Sequence, residues 1–214
     1  MPAEAPPGHL AMFPLGSVLL PSMLLPLHVF EDRYRRMVAE VLAAEPAEFG
    51  VTLIARGSEV GGGDVRVDVG CTATVLEARE APDGRWALMC VGGRRVRVVE
   101  WLVDDPYPRA IVQDWPDAPP SADDAEVASE VTAQVRRVAA LGSELGGPGL
   151  PEPLELSDDV GERSFQLGVL SPLGALDRQA VLEAAGPSER LALLARLLDD
   201  HEQVLRARLA MGDG

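Results

Sequence analysis

Hydrophobic and polar positions change their spacing three times along the chain. Phe13–Tyr34, reading FPLGSVLLPSMLLPLHVFEDRY, is almost filled with apolar residues, yet Pro14, Pro21 and Pro26 interrupt it. A proline inside a helix removes a backbone donor and clashes with the preceding turn, so short extended pieces are expected. They fall at Leu10–Phe13, Val18–Leu20 and Leu24–Val29, with Pro26 at an edge or bulge. The period then becomes helical. Tyr34, Met37, Val38, Val41 and Leu42 share one helix face. Glu31 and Asp32 suit the positive end of that helix, and it should stop near Ala44, before Pro46.

Phe49–Ala55 (FGVTLIA) is expected to be a strand buried on both faces, and Gly57–Asp64 a flexible loop. Val65–Val69 and Cys71–Glu80 lead into Pro82-Asp83-Gly84, a strong hairpin signal, from which Trp86–Val91 returns. A turn is expected at Gly92-Gly93, followed by Val96–Val103, a break at Pro106-Tyr107-Pro108, and a last strand over Arg109–Trp115. Strands with a single helix predict a small closed or half-closed barrel.

Pro116–Pro120 reads as a boundary, giving expected domains over 8–116 and 121–211. Beyond it the pattern is helical. Ser121 and Asp124 resemble a capping box, and Val127, Val131, Val135 and Val138 line one face. Ser157–Leu167, weakened by Gly161, and Ala175–Ala185 follow. Ser188 is placed to cap a last helix whose stripe is Leu191, Leu194, Leu198, Leu205 and Leu209.

Composition narrows the partners. The formal charge of −15 repels phosphate, which argues against nucleic acid and anionic membrane. Arg94, Arg95 and Arg97 read as exposed arginines on the outer face of a strand. No apolar run approaches the roughly 20 residues a membrane helix requires. The start, MPAEAPPGH, has no basic or apolar signal region, so a soluble cytoplasmic protein is expected. If Asp83 and Gly84 form a two-residue turn, Cys90 faces Glu77 and Cys71 faces Val96, which predicts two free, half-buried thiols.

Two separated blocks carry a resemblance. FPL-x-x-V-x-x-P followed by LPLHVFEDRY, and then Gly70 with APDGRWALMCVGGRRVRV, resemble the N-terminal domain of the Lon proteases. The likeness is strong over Leu10–Trp115 and continues more weakly into Ser188–Leu209. The chain is most similar to the stand-alone bacterial form that lacks the ATPase and peptidase domains. It departs from the usual pattern at Leu20, where the family tends to have Phe, and at Ser22, where Gly is common. The resemblance implies an α+β fold: a PUA-like six-stranded pseudo-barrel with one inserted helix, then a helical subdomain. It also implies a part in recognising and holding unfolded protein substrates.

The residues offer little for catalysis. The chain contains no lysine, so neither a Gly-x-x-x-x-Gly-Lys phosphate loop nor a Ser–Lys dyad can be built. His201-Glu202 begins a zinc-peptidase motif, but Leu205 stands where the second His belongs. His9, His28 and His201 are scattered and give no zinc spacing, so no catalytic residue, metal or cofactor is expected. For binding, the candidates are Met12, Phe13, Leu15, Met23, Leu25, His28, Phe30, Trp86 and Met89, because so small a barrel cannot enclose every large apolar side chain. Adaptable Met and Leu side chains suit recognition of varied unfolded segments. The expected partners are unfolded or hydrophobic polypeptide segments, and a protease or chaperone served by an adaptor surface. The competing readings are a small-molecule sensor using the barrel cleft, a cryptic hydrolase, and a structural protein that dimerises through its last helix.

Overall fold

The computed structural model describes residues 8–57 and 65–212. The Pro/Ala start and the Gly61-Gly62-Gly63 loop lie outside them. The chain divides into two compact units, Met1–Pro116 and Asp117–Gly214.

The first unit holds six strands and one helix. In chain order these are β1 (Gly8–Leu15), β2 (Leu24–Val29), α1 (Asp32–Leu42), β3 (Glu48–Arg56), β4 (Val65–Glu80), β5 (Trp86–Trp101) and β6 (Arg109–Asp114). β1 pairs parallel with β3 and antiparallel with β6. β3 pairs with β4, β4 with β5, and β5 with β6, so the pairings form a closed circuit. β2 stands outside that circuit, paired with β5 and forming the free edge.

Burial follows from this closure. Phe49–Leu53 of β3 is buried throughout, as its unbroken apolar run predicts. Leu10, Met12, Val96, Val98, Ala110 and Val112 form one core cluster, with Trp101 packed against it. α1 buries Tyr34, Met37, Val38 and Val41. The Phe13 ring lies 4.3 Å from that of Tyr34 and 6.1 Å from that of Phe49. The Tyr107 hydroxyl donates to the Glu40 carboxylate at 2.5 Å, tying the segment before β6 to α1.

Three local expectations are corrected. Val18–Leu20 is buried but irregular, not a strand. Its chain turns at Leu20–Met23, where the Met23 N–H donates to the Leu20 carbonyl at 3.1 Å and Ser22 takes φ 65°. Proline second and a left-handed third residue define a type II turn. Gly92-Gly93 does not turn the chain; it lies inside β5. A Cβ at Gly92 would strike the Leu20 carbonyl, so Gly92 permits close backbone approach, and one at Gly93 would lie 2.6 Å from the Thr72 hydroxyl oxygen. Arg95 is buried rather than exposed, its guanidinium 4.7 Å from the centre of the Trp115 ring.

The hairpin register also differs. The Ala81 N–H donates to the Arg85 carbonyl and the Gly84 N–H to the Ala81 carbonyl, both at 2.8 Å. The loop is therefore three residues, Pro82-Asp83-Gly84, with Gly84 at φ 77°. That extra residue, with irregularities between Val75 and Glu77 and between Cys71 and Ala73, sets Cys90 opposite Val75 and Cys71 opposite Arg95. Both thiols are free, and both are fully buried rather than half-buried.

The second unit contains α2 (Asp124–Glu144), α3 (Val160–Leu170), α4 (Ala175–Glu183) and α5 (Pro187–Gly212). Val131, Val135 and Val138 of α2 and Leu191, Leu194 and Leu198 of α5 are buried, whereas Val127 is half-buried. Asp124 accepts from the Ser121 N–H (2.8 Å) and hydroxyl (2.7 Å), but the N-cap of α2 is Asp123 and the Ser121 hydroxyl donates rather than accepts, so the expected capping box does not form. Asp124 also accepts from the Ser188 hydroxyl at 2.7 Å. Ser188 is thus spent on Asp124 and does not cap α5. Pro187 occupies the first helical position, which its missing N–H and fixed φ favour.

Arg190 is 0% exposed. Its guanidinium makes a two-pronged contact with Asp117 (3.0 and 2.7 Å), donates to Ser164 Oγ at 2.6 Å, and lies 3.3 Å from the Phe165 ring centre. Burial pushes its pKa down, and the Asp117 carboxylate acts against that. Removing one member of a buried pair strands the other charge.

Two outcomes follow. Asp117→Ala should destabilise the second unit by about 3 kcal/mol or more, read from urea unfolding, and the double variant Asp117→Ala/Arg190→Met should recover most of that loss. Ser22→Gly should raise the first unit's melting midpoint by about 2–4 °C, because glycine adopts the left-handed conformation without strain.

Candidate functional site

The outer face of β2, with the neighbouring halves of β5 and β4, carries a row of exposed apolar side chains; others, Val103 and Leu176 among them, are exposed elsewhere. Along a strand alternate residues face opposite ways. Leu25 and Val29 therefore point to the core, while Leu24, Pro26 and His28 point out, and Phe30 is exposed just beyond. Leu24 is 59% and Phe30 58% exposed. Opposite them on β5, Val91 pairs with Leu24, Met89 with Pro26 and Ala87 with His28. Val91 and Met89 are half-buried and Ala87 is exposed. On β4, Leu76 is 54% exposed at the irregularity between Val75 and Glu77.

This apolar ribbon ends in a cavity of about 310 Å³ beside the hairpin loop, lined by His28, Phe30, Trp86, Ala87, Arg79 and Arg85 among others. Ala87 pairs with His28 on one side and Arg79 on the other. A methyl group thus separates two long polar side chains, leaving a notch. Arg85 is held by Asp83 through a 2.6 Å ion pair, and the Arg85 hydrogen bond holds the Asp83 carboxyl below its usual range. Gly84 is tightly set as well, since a Cβ there would collide with the Arg35 guanidinium of α1.

The nine sequence candidates separate into two groups. Met12 is 0% exposed, and Phe13, Leu15 and Leu25 are also buried. Those four are core residues, because closing the strand circuit encloses the β1 side chains and the inward parity of β2. Met23 is half-buried beside the Ser22 turn. His28, Phe30 and Trp86 come together at the cavity, with Met89 on the adjoining ribbon. Sequence reasoning passed over Leu24, Pro26, Leu76, Arg79, Ala87 and Val91. The period of two in LLPLHVF carried part of that signal, because it sets Leu24, Pro26, His28 and Phe30 at one parity. His201 is half-buried on α5. Among the described residues no cluster of His, Cys, Asp and Glu could hold a metal ion, and no helix is long and apolar enough to cross a membrane.

An α+β unit whose closed strand circuit carries an exposed apolar edge has the construction of a binding domain. The family model described as the ATP-dependent protease La (LON) substrate-binding domain matches residues 9–200. The chain belongs to that family. It is 29% identical over 202 residues to Lon protease 2 of Herpetosiphon aurantiacus, covering 92% of this chain and 24% of that protein. It is 27% identical over 218 residues to the Lon protease of Roseiflexus castenholzii, covering 96% of this chain and 26% of that one. The chain thus spans about a quarter of the length of the curated relatives it matches, and the match lies in their substrate-binding part rather than in an ATPase or peptidase domain.

Among solved structures, the Lon N-terminal domain protein from Xanthomonas campestris superposes with a TM-score of 0.64 at 25% identity, covering 88% of this chain and 98% of that one. The N-terminal domain of Mycobacterium avium complex Lon protease superposes with a TM-score of 0.65 at 18% identity, covering 91% of this chain and 100% of that one. The second likeness speaks to the fold alone.

The thiols provide a chemical check on the closed circuit. Burial pushes Cys71 up to about 12 and Cys90 up to about 11, so neither forms an appreciable thiolate near neutral pH. A raised thiol pKa adds stability that is complete below the unfolded value and lost as pH rises through the folded one. Native protein at pH 8 should leave both cysteines unmodified by a disulfide dye over an hour, and guanidinium should release two equivalents. Rapid native labelling of either would contradict the closed core.

Proposed function

We propose that this chain is a non-catalytic polypeptide-binding module of the cytoplasm that holds unfolded or hydrophobic protein segments. The observation that carries the reading is the apolar ribbon of Leu24, Pro26, Phe30, Met89 and Val91 along the edge of the strand circuit. Large apolar side chains left in water at a sheet edge mark an interaction surface. Membership of a family described as substrate-binding supports the same conclusion. Residues 8–116, which we read as a PUA-like pseudo-barrel, carry the binding, and residues 121–211 form the helical subdomain. The module serves a protease or chaperone as an adaptor for such segments. The charge of −15 keeps the apolar ribbon from driving self-association.

The cavity favours peptide over metabolite. At about 310 Å³ it stands at the lower end of ligand-pocket sizes and lies on an open ribbon, which suits one side chain of an extended segment.

Fluorescence anisotropy with a labelled, unstructured hydrophobic peptide tests the reading. The purified chain should bind with a Kd in the range of about 10–100 μM, and Leu24→Ser/Phe30→Ser should weaken binding by about tenfold while leaving the melting temperature in place. An absence of binding, or binding indifferent to that double substitution, counts against this function.

A further inference from the structure

The notch at the end of the ribbon carries a charge that nothing in the fold consumes. Arg79, on β4, is exposed, and among the described residues it has no carboxylate partner and no hydrogen-bond acceptor. Its neighbour in the cavity wall, Arg85, is already paired with Asp83. Glu80 also borders the cavity, but successive strand residues point to opposite faces, so it does not share the outward row of Arg79. That row runs His28, Ala87, Arg79 across three strands. Adjacent strands lie about 4.8 Å apart, so His28 and Arg79 stand about 10 Å apart, with the Ala87 methyl as the floor between them. Phe30 supplies the apolar wall, whereas Trp86, in the opposite row with Val29 and Glu80, borders the cavity from the other face.

We propose that this notch is a specificity pocket for an extended polypeptide segment presenting a bulky apolar side chain followed closely by a carboxylate. The apolar side chain rests on Ala87 beside Phe30, and the acidic side chain meets the Arg79 guanidinium. This deepens the polypeptide-binding reading and rests on it. Charge complementarity selects the occupant. A chain of net charge −15 repels acidic segments over most of its surface, so an unpaired guanidinium beside an apolar notch confers a local preference that the global field opposes. Backbone pairing along β2 is not the main anchor, because Pro26 has no N–H and interrupts the free edge at its middle.

The test compares three labelled, unstructured peptides that differ at one position, reading Phe-Glu, Phe-Gln or Phe-Lys within an otherwise identical hydrophobic segment. The wild-type chain should bind the Glu peptide about threefold to tenfold more tightly than the Gln peptide, with the Lys peptide weakest and the preference shrinking as salt is raised. Arg79→Gln should bring the Glu and Gln peptides to one affinity, and Arg79→Glu should reverse the order in favour of Lys. Ala87→Phe, which fills the notch, should weaken all three. Arg79 is exposed and unpartnered, so unchanged melting temperatures will show that its variants remain folded.

Equal affinities for all three peptides on the wild-type chain, or a Glu preference that survives Arg79→Gln, would overturn the pocket while leaving the general binding function standing. Failure of every peptide to bind would overturn both.

Discussion

The length and curvature of β5 are the constraint on which the first unit depends. At 16 residues it extends about 50 Å if fully drawn out, and β4, equally long, pairs with it only from Trp86 to Arg97. One edge pairs with β4 over Val69–Glu80. The other serves β2 with its first part and β6 with its last. The irregularities of pairing against β4 and β6 let the strand bend enough to close the circuit. Gly92 lies where the backbone of Leu20 comes close, and Gly93 where the Thr72 hydroxyl does. Closure leaves β2 over, paired on one side only, and the exposed surface follows from that leftover edge.

Positive charge in this chain is carried by arginine alone, and the structure uses properties that lysine lacks. Arg190 is buried because a planar fork satisfies Asp117 with two bonds while its flat face lies on Phe165. Arg95 and Arg97 both lie over Trp115, and Arg66 over Trp101 with a 2.7 Å bond to Asp104. Most arginines that enter these stacks help hold the last strands and helices in place. Arg79 enters none of them, and this separates it from the structural set.

Legibility along the chain depended on how local each cause was. The proline interruptions ruled out a long helix over Phe13–Phe30, and the helical spacing from Tyr34 located α1, because both effects act within a few residues. The hairpin was legible as a hairpin. Its register was not, because a glycine in the left-handed region made the loop one residue longer and two irregularities shifted the pairing again. Val18–Leu20 has a strand's composition, but it is buried by passing close to Gly92 rather than by joining a ladder. Ser188 has a cap's chemistry, yet Pro187 took the first helical position and Asp124 claimed the hydroxyl.

The sequence by itself determined the α+β class, the family, and the absence of any lysine-dependent chemistry. These follow from residue identity and short-range spacing, which no folding event can alter. Only the tertiary structure decided which greasy residues face water. Met12 and Phe13 are as apolar as Phe30, but they lie on a strand enclosed by the circuit, whereas Phe30 follows the strand left outside it. Burial is a property of how distant strands close on one another. Arg79 and Ala87 acquire meaning only from the partners that pairing sets beside them.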